Sequence, residues 1–263
     1  MTKSTTVTMM PTVTMMTTDA NGDVRVALVT GAAVRVGRAI AVELADAGYD
    51  VAIHYRHSKV QADETKALVE SKGRGCVTLC GDLLDDKTPG MLIDGVRQAF
   101  GRLDVLVNNA SLFEPDPADA FDQQHWQKMM QVNAIAPACL IETAAPMLEQ
   151  SQSGQVVNLC DISAERPWST YRAYCASKAA LANLTLSYAR RLAPGIRVNG
   201  VAPGIAIFPE DYDEAIRQRL IAKVPLGREG TVDDIARTVR FLALHGSYIT
   251  GQIIRVDGGR SIV

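Results

Sequence analysis

Three residues in the second half of the chain have the types and the spacing needed for proton transfer. Tyr174 and Lys178 stand four residues apart, and Asp161 precedes the tyrosine by thirteen residues. A spacing of four puts both side chains on one face of a helix. A phenol beside an ammonium group loses its proton more easily, because the cation favours the phenolate. The pair is therefore a candidate proton donor for reduction of a C=O or C=N bond; a solvated helix face is the alternative.

The composition is that of an ordinary globular chain. Of the 263 residues, 47% are hydrophobic and 21% are charged, and the formal net charge is -2. This length suits one large α/β domain, and the charge gives no reason to expect nucleic acid or a membrane surface as a partner. No apolar run is long enough to span a membrane. The 5 cysteines form no zinc-binding pattern, so we predict no metal site and a reducing, cytoplasmic environment.

The first 23 residues differ from the rest of the chain. The segment Thr-Val-Thr-Met-Met occurs at residues 6–10 and again at residues 12–16, and Lys3 is the one basic residue. The long apolar core of a signal peptide is missing. We therefore expect residues 1–23 to form a disordered N-terminal extension and residues 24–263 to form a single domain; a functional tail is the alternative.

Apolar segments alternate with helical segments along residues 24–263. Strands are predicted at 24–30, 50–54, 76–79, 103–107, 156–159, 197–201 and 252–256. Helices are predicted at 35–47, 62–71, 91–100, 125–148, 171–192, 213–222 and 232–243. This alternation, with nearly continuous apolar strands, is typical of a parallel sheet covered by helices on both faces. Right-handed crossovers then give a doubly wound, Rossmann-type α/β fold with a ligand crevice at the carboxyl ends of the strands.

The turn between the first strand and the first helix has the features of a phosphate-binding turn. Gly31 permits a tight turn, and Gly37 allows the helix to pack closely. Between them, Arg35 and Val36 stand where the helix begins, and free N–H groups at a helix start attract a pyrophosphate. Arg35 adds a cation at the phosphate edge; an exposed arginine at a helix start is the alternative.

The end of the second strand predicts which nicotinamide cofactor binds. An enzyme that uses NAD usually places a carboxylate here, to accept a hydrogen bond from the ribose 2′-hydroxyl. This chain instead has the sequence Tyr55, Arg56, His57 and Ser58. Basic and hydroxyl groups suit a 2′-phosphate, so the predicted cofactor is NADPH. After the third strand, Asp82 and Leu83 are predicted to approach the adenine; a turn-forming aspartate is the alternative.

Together these segments resemble the short-chain dehydrogenase/reductase family. The shared motifs follow in family order: Thr30-Gly31, Asn108-Asn109-Ala110, Asn133, Tyr174 with Lys178, Pro203-Gly204 and Val256-Asp257-Gly258-Gly259. The resemblance implies that Tyr174 is the acid and that Lys178 binds the nicotinamide ribose and lowers the tyrosine pKa. It also implies that Asn133 supports a proton-relay water. Residues bordering the cofactor would include Asn109, Ala110, Pro203 and Gly204.

Within that family the chain most resembles the pteridine reductases. Arg35 interrupts the glycine motif, Ser111 and Phe113 follow the fourth strand, and Asp161 stands where the family has a serine. The resemblance implies that Ser111 and Phe113 touch a pterin, whose ring lies between Phe113 and the nicotinamide. A flat ring on an aromatic face is a favourable contact. Arg35, Asp161 and Tyr174 would complete the substrate site, and a homotetramer or homodimer is implied.

Three functions are open at this point. The first is NADPH-dependent reduction of a pterin, a dihydropterin or dihydrofolate. The second is reduction of a 3-oxoacyl thioester or another carbonyl compound, which would prefer a serine at position 161; a small register shift would let Ser163 supply it. The third is a non-catalytic protein that senses NADP, but such a protein could dispense with Tyr174 and Lys178, and both are present.

The cofactor assignment predicts a change of cofactor use on Arg56→Ala substitution. The unaltered protein should use NADPH over NADH by more than about tenfold in kcat/KM, since a hydrogen bond to a charged group contributes roughly 1.5–3 kcal/mol. The substitution should raise the KM for NADPH and leave the KM for NADH nearly unchanged. Equal use of both cofactors by the unaltered protein would contradict the assignment.

Overall fold

Seven strands form one parallel sheet at the centre of the part of the chain that the structure describes. The structure is a computed structural model, and it describes residues 22, 24–117, 121–206, 208 and 213–263. Apart from Gly22, the predicted N-terminal extension lies outside the described residues. The strands are Val26–Val29 (β1), Asp50–Tyr55 (β2), Cys76–Cys80 (β3), Val105–Asn108 (β4), Gln155–Leu159 (β5), Arg197–Pro203 (β6) and Ile253–Val256 (β7). Their order across the sheet is β3-β2-β1-β4-β5-β6-β7.

Helices cover both faces of this sheet. Within the described ranges they are Arg35–Asp46 (α1), Lys59–Glu70 (α2), Thr88–Phe100 (α3), Gln123–Met130 (α4), Ala136–Leu148 (α5), Arg172–Leu192 (α6), Glu214–Ile221 (α7) and Val232–His245 (α8). Buried side chains of α1, α2 and α8 pack on one face, and those of α3, α5 and α6 pack on the other. The doubly wound α/β fold predicted from the sequence is confirmed. Among the described helices, none has the length and apolar character of a membrane span.

The apolar character of β1 follows from its place between the two helical layers. Ala27 and Val29 belong to the core formed with α1 and α8, while Val26 and Leu28 belong to the core on the opposite face. Successive side chains of a strand point to opposite faces, so a strand buried on both must be apolar throughout. β1 pairs with β2 on one side and with β4 on the other. Strands β2 and β3 therefore lie on one side of β1, and strands β4 to β7 lie on the other. A crevice opens at the carboxyl ends of the strands where the strand order switches in this way.

One predicted helix is divided in the structure. The sequence predicts a single helix over residues 125–148, but α4 and α5 are separated by a π-helical turn, Gln131–Ile135. The N–H group of Ala136 donates to the carbonyl oxygen of Gln131, five residues back. Pro137 has no N–H group, and its ring would clash with the carbonyl four residues earlier in a regular α-helix. The wider turn accommodates the proline and places Asn133 inside the irregular segment.

Candidate active site

A cleft of about 470 Å³ lies at the carboxyl ends of the first four strands. Eleven of the residues that the sequence assigned to the site line it: Gly31, Arg35, Val36, Gly37, Arg56, Asp82, Leu83, Asn109, Ala110, Ser111 and Gly204. Tyr55, His57, Ser58 and Pro203 lie outside this lining. Tyr55 is buried, whereas His57 is exposed, and the cofactor roles of these four residues stay predictions.

The two glycines of the turn after β1 lie so close to neighbouring protein atoms that a side chain at either position would clash. A Cβ atom on Gly37 would lie 2.2 Å from the carbonyl oxygen of Gly31 and 2.6 Å from Nδ2 of Asn109. Gly31 has a φ of +63°, and a Cβ there would lie 2.9 Å from Cα of Ala110. Arg35 opens α1 with a φ of 52°. The two glycines therefore let the turn pack directly against Asn109 and Ala110. The helix start lines the cleft, where its free N–H groups suit the pyrophosphate of a dinucleotide.

His54 connects two of the turns that line the cleft, a role the sequence analysis missed. The Gly31 N–H group donates to Nδ1 of His54 at 3.2 Å, and Nε2 lies 3.1 Å from the carbonyl oxygen of Gly81. Because Nδ1 accepts, Nε2 carries the proton and donates. Burial lowers the pKa of His54, which favours this neutral form. The signal in the sequence was a histidine inside an otherwise apolar strand.

Arg56 and Asp82 meet at one end of the cleft. Nη1 of Arg56 lies 3.8 Å from Oδ2 of Asp82, and both side chains are about two-fifths exposed, 39% each. The basic residue predicted for the 2′-phosphate and the carboxylate predicted near the adenine therefore occupy neighbouring positions at the ends of β2 and β3. An exposed pair of this kind contributes little to stability, so the arginine can exchange its partner for a phosphate.

The three candidate catalytic residues come together at the ends of β5 and α6. The phenol of Tyr174 donates to Oδ2 of Asp161 at 2.8 Å, while Oδ1 accepts from the Ser163 N–H group at 2.7 Å. The ammonium of Lys178 donates to the carbonyl oxygen of Leu159 at 2.7 Å and lies 5.8 Å from the centroid of the Tyr174 ring. Ser163 is fully buried, and its hydroxyl oxygen has no hydrogen-bond partner among the described residues. Asp161, not Ser163, therefore meets the tyrosine.

Burial and a neighbouring carboxylate dominate the pKa of Tyr174. Burial first, and then the charge of Asp161 and its hydrogen bond, raise the pKa of Tyr174 well above its ordinary value. Burial lowers the pKa of Lys178, and Asp161 opposes that shift. The lowering expected from Lys178 is outweighed, because desolvation and the neighbouring carboxylate both favour the neutral phenol.

Asn133 joins the loop after β4 to α6. Its Oδ1 accepts from the Ser111 hydroxyl at 3.1 Å and from the Leu112 N–H group at 2.8 Å. Its Nδ2 donates to the Leu112 carbonyl oxygen and to the Ser177 hydroxyl, each at 2.9 Å. All four hydrogen-bonding positions of the amide are thus occupied by protein groups. The side chain positions this loop, and a role in supporting a relay water stays a prediction.

Three aromatic rings cluster around Tyr174, the candidate catalytic tyrosine. Phe113 stacks on Tyr171 with centroids 4.5 Å apart and ring planes 5° apart, and it meets Tyr174 edge-on at 4.8 Å. Trp168 lies nearly parallel to Tyr174, 6.4 Å between centroids. The sequence analysis missed Trp168 and Tyr171. The sequence feature that could have revealed them is a local concentration of aromatic residues. Three fall within residues 168–174, in a chain in which 5% of the residues are aromatic.

Asp116 anchors the start of α6, and it too was missed. Its buried carboxylate accepts from the main-chain N–H groups of Arg172 and Ala173 and from Nε of Arg172. Its own N–H group donates to the Thr170 carbonyl oxygen at 2.8 Å. Burial alone would raise the pKa of Asp116, but these hydrogen bonds outweigh burial and lower it. The loop that carries Phe113 is thereby fastened to the helix that carries Tyr174.

Comparisons with known proteins place the chain in a family. A family model described as enoyl-(acyl carrier protein) reductase matches residues 31–261. The chain is 36% identical to the 3-oxoacyl-[acyl-carrier-protein] reductase FabG of Staphylococcus aureus, over 89% of this chain and 96% of that protein. It is 35% identical to the 2-dehydro-3-deoxy-D-gluconate 5-dehydrogenase of Bacillus subtilis, over 89% and 94%. The chain belongs to the short-chain dehydrogenase/reductase family and is an oxidoreductase of that family.

A solved structure with a different activity is equally similar. It is the FolM alternative dihydrofolate reductase 1 from Brucella canis in complex with NADP, with a TM-score of 0.85 and 34% identity. The match covers 91% of this chain and 94% of that chain. Overall similarity therefore does not separate carbonyl reduction from reduction of a pterin-type ring.

The cap on α6 predicts an acid-sensitive contribution to stability. Asp116→Asn should lower the free energy of unfolding at neutral pH by about 1–3 kcal/mol, since the charged acceptor of three hydrogen bonds is lost. The folded pKa is depressed, so this stabilisation is present above the unfolded value of about 3.9 and is lost as the pH falls through the folded value. Urea unfolding at several pH values measures it. Asp94→Asn, an exposed helix position, is the matched control; an equal loss in both variants would contradict the assignment.

The Tyr174–Asp161 contact predicts a spectroscopic change. Asp161→Asn should lower the pKa of Tyr174 towards its ordinary value while leaving it above that value, because the charge is removed and the burial is not. Ultraviolet titration of the phenolate follows the change, with the Tyr174→Phe protein subtracted to isolate this residue. An unchanged titration would mean that Asp161 does not control the phenol.

Proposed function

We propose that this protein is an NADPH-dependent reductase of pterin-type rings. The observation that carries the proposal is the 2.8 Å hydrogen bond from the Tyr174 phenol to the Asp161 carboxylate, beside the aromatic side chains of Phe113 and Trp168. A flat ring with several nitrogen atoms needs an aromatic surface to stack on and a carboxylate to accept from its N–H and amino groups. Both lie within one cluster here.

The residues of the chain have distinct tasks in such a reaction. Bound NADPH would be held by the glycine turn after β1 and by Arg56, and it supplies a hydride. Asp161 orients the ring by accepting from its N–H groups and favours a cationic ring, whose adjacent nitrogen must gain a proton. Because its pKa is raised, Tyr174 stays protonated at neutral pH and has that proton to give. A proton from solvent, which Asp161 can relay, then restores the phenol.

The alternative is reduction of a 3-oxoacyl thioester, and the printed activity of the FabG relative favours it. In that reaction negative charge develops on a carbonyl oxygen, and a neutral hydroxyl beside the tyrosine would stabilise it. The carboxylate of Asp161 would instead repel that oxygen. The site favours the pterin for this reason. The NADP of the FolM structure agrees with the basic residue at the end of β2.

The exchange of Asp161 for serine separates the two activities. Asp161→Ser should lower kcat for dihydropterin reduction by a factor of about 10²–10⁴, the usual effect of losing a proton-transfer group. Reduction of an acetoacetyl thioester by the same variant should stay equal or increase, because the repelling charge is gone. The measurement is NADPH oxidation with dihydrobiopterin and the thioester side by side.

A second variant controls for the register of the loop. Ser163→Ala should leave pterin reduction nearly unchanged, because the buried hydroxyl of Ser163 makes no hydrogen bond to Tyr174. Loss of activity in Ser163→Ala with full activity in Asp161→Ser would reverse the assignment. The carbonyl-reductase function would then be the better one.

A further inference from the structure

A second cavity, of about 840 Å³, shares a wall with the catalytic centre. Trp168 lines it, and the same indole lies parallel to the ring of Tyr174 at 6.4 Å. Ile162, the residue that follows Asp161, also lines it. The cavity therefore adjoins the proposed site of the substrate ring through Trp168 and through Ile162, the neighbour of Asp161.

The charged residues of this cavity are mostly cationic. Arg166, Lys223 and Arg260 line it, together with the Glu165 carboxylate and Val263, whose main-chain oxygen accepts from Arg166. The charge of Glu165 is compensated by an ion pair with Arg255. The cavity therefore combines the apolar indole wall with an excess of positive charge. Guanidinium and ammonium groups in such a place bind carboxylate or phosphate oxygens.

We propose that this cavity, which we call the tail cavity, binds an anionic substituent of the substrate. The proposal rests on the proposed function and makes it more specific. The preferred substrates are reduced pterins whose side chain ends in a carboxylate or a phosphate. A pterin with a neutral hydroxylated side chain occupies the same ring site but gains nothing from Arg166 and Lys223.

The two cations differ in what else they do. Nη1 of Arg166 donates to the main-chain oxygen of Val263 at 3.3 Å, so this arginine also holds the final segment of the chain. The Lys223 side chain makes no hydrogen bond or ion pair with the described residues, and it is exposed at the cavity wall. Substituting Lys223 therefore removes a charge without removing a contact of the fold, and it makes the cleaner test.

The test compares three substrates in NADPH-dependent turnover. Dihydrobiopterin has a neutral side chain, dihydrofolate ends in carboxylates, and a dihydropterin phosphate monoester ends in a phosphate. Lys223→Gln should raise the KM for the two anionic substrates by about 5- to 10-fold, between the effect of an exposed ion pair and that of a hydrogen bond to a charged group. The kcat values and the KM for dihydrobiopterin should stay unchanged. The ratio between the two anionic substrates shows whether carboxylate or phosphate is preferred.

Two controls complete the experiment. Lys72→Gln removes an exposed cation that follows α2 and does not line the tail cavity, and it should leave all three KM values unchanged. Added salt should raise the KM for the anionic substrates in the unaltered protein and have a weaker effect in Lys223→Gln, because mobile ions screen the attraction. The double variant with Arg166→Gln should extend the rise in KM.

The outcomes separate this inference from the proposed function. If the unaltered protein reduces no pterin at all, the proposed function fails, and the tail cavity loses its substrate with it. If all three pterins are reduced and Lys223→Gln changes their KM values equally or not at all, the tail cavity does not bind the substituent. The proposed function then stands without it.

Discussion

The hydrogen bond between the Tyr174 phenol and the Asp161 carboxylate sets the conditions that the rest of the site must meet. A carboxylate beside a buried phenol holds that phenol neutral, since phenolate and carboxylate would repel each other in a region of low polarity. The carboxylate needs a further donor, and the Ser163 N–H group supplies it. Lys178, buried on the same helix as Tyr174, needs a hydrogen-bond acceptor, and the carbonyl oxygen of Leu159 provides one. Each charged group is therefore paired before any substrate binds.

The site is built on loops, and polar side chains hold those loops in register. Main-chain groups in a loop have no sheet or helix partner, so buried ones must find another. Asn133 serves the loop after β4, and the hydroxyl of Thr30 accepts from the N–H groups of Asn109 and Ala110. Asp116 then ties the far end of the β4 loop to α6. The aromatic cluster keeps its geometry because the loop that carries Phe113 and the helix that carries Tyr174 are fastened to each other in this way.

Similarity to known proteins and the chemistry of the site answer different questions here. Relatives at 36% identity and a solved structure at 34% share the fold while their printed activities differ. A fold of this kind hosts many reactions, so function has to be argued from the groups in the site. In this chain the position thirteen residues before Tyr174 holds Asp161. A carboxylate there suits a ring rich in N–H groups, and a hydroxyl suits a developing oxyanion.

The sequence by itself determined the fold class and the order of strands and helices along the chain, and it predicted the three candidate catalytic residues. Apolar periodicity and the spacing from Asp161 to Lys178 are local patterns, and local patterns can be read from one chain. Only the tertiary structure revealed the π-helical turn, the link made by His54 and the anchor at Asp116, whose partner Arg172 is 56 residues away. It also decided the net direction of the Tyr174 pKa shift, on which Asp161 and Lys178 act in opposite senses. Burial and contacts between distant segments decide these features, and neither is a property of the residues next to each other in the chain.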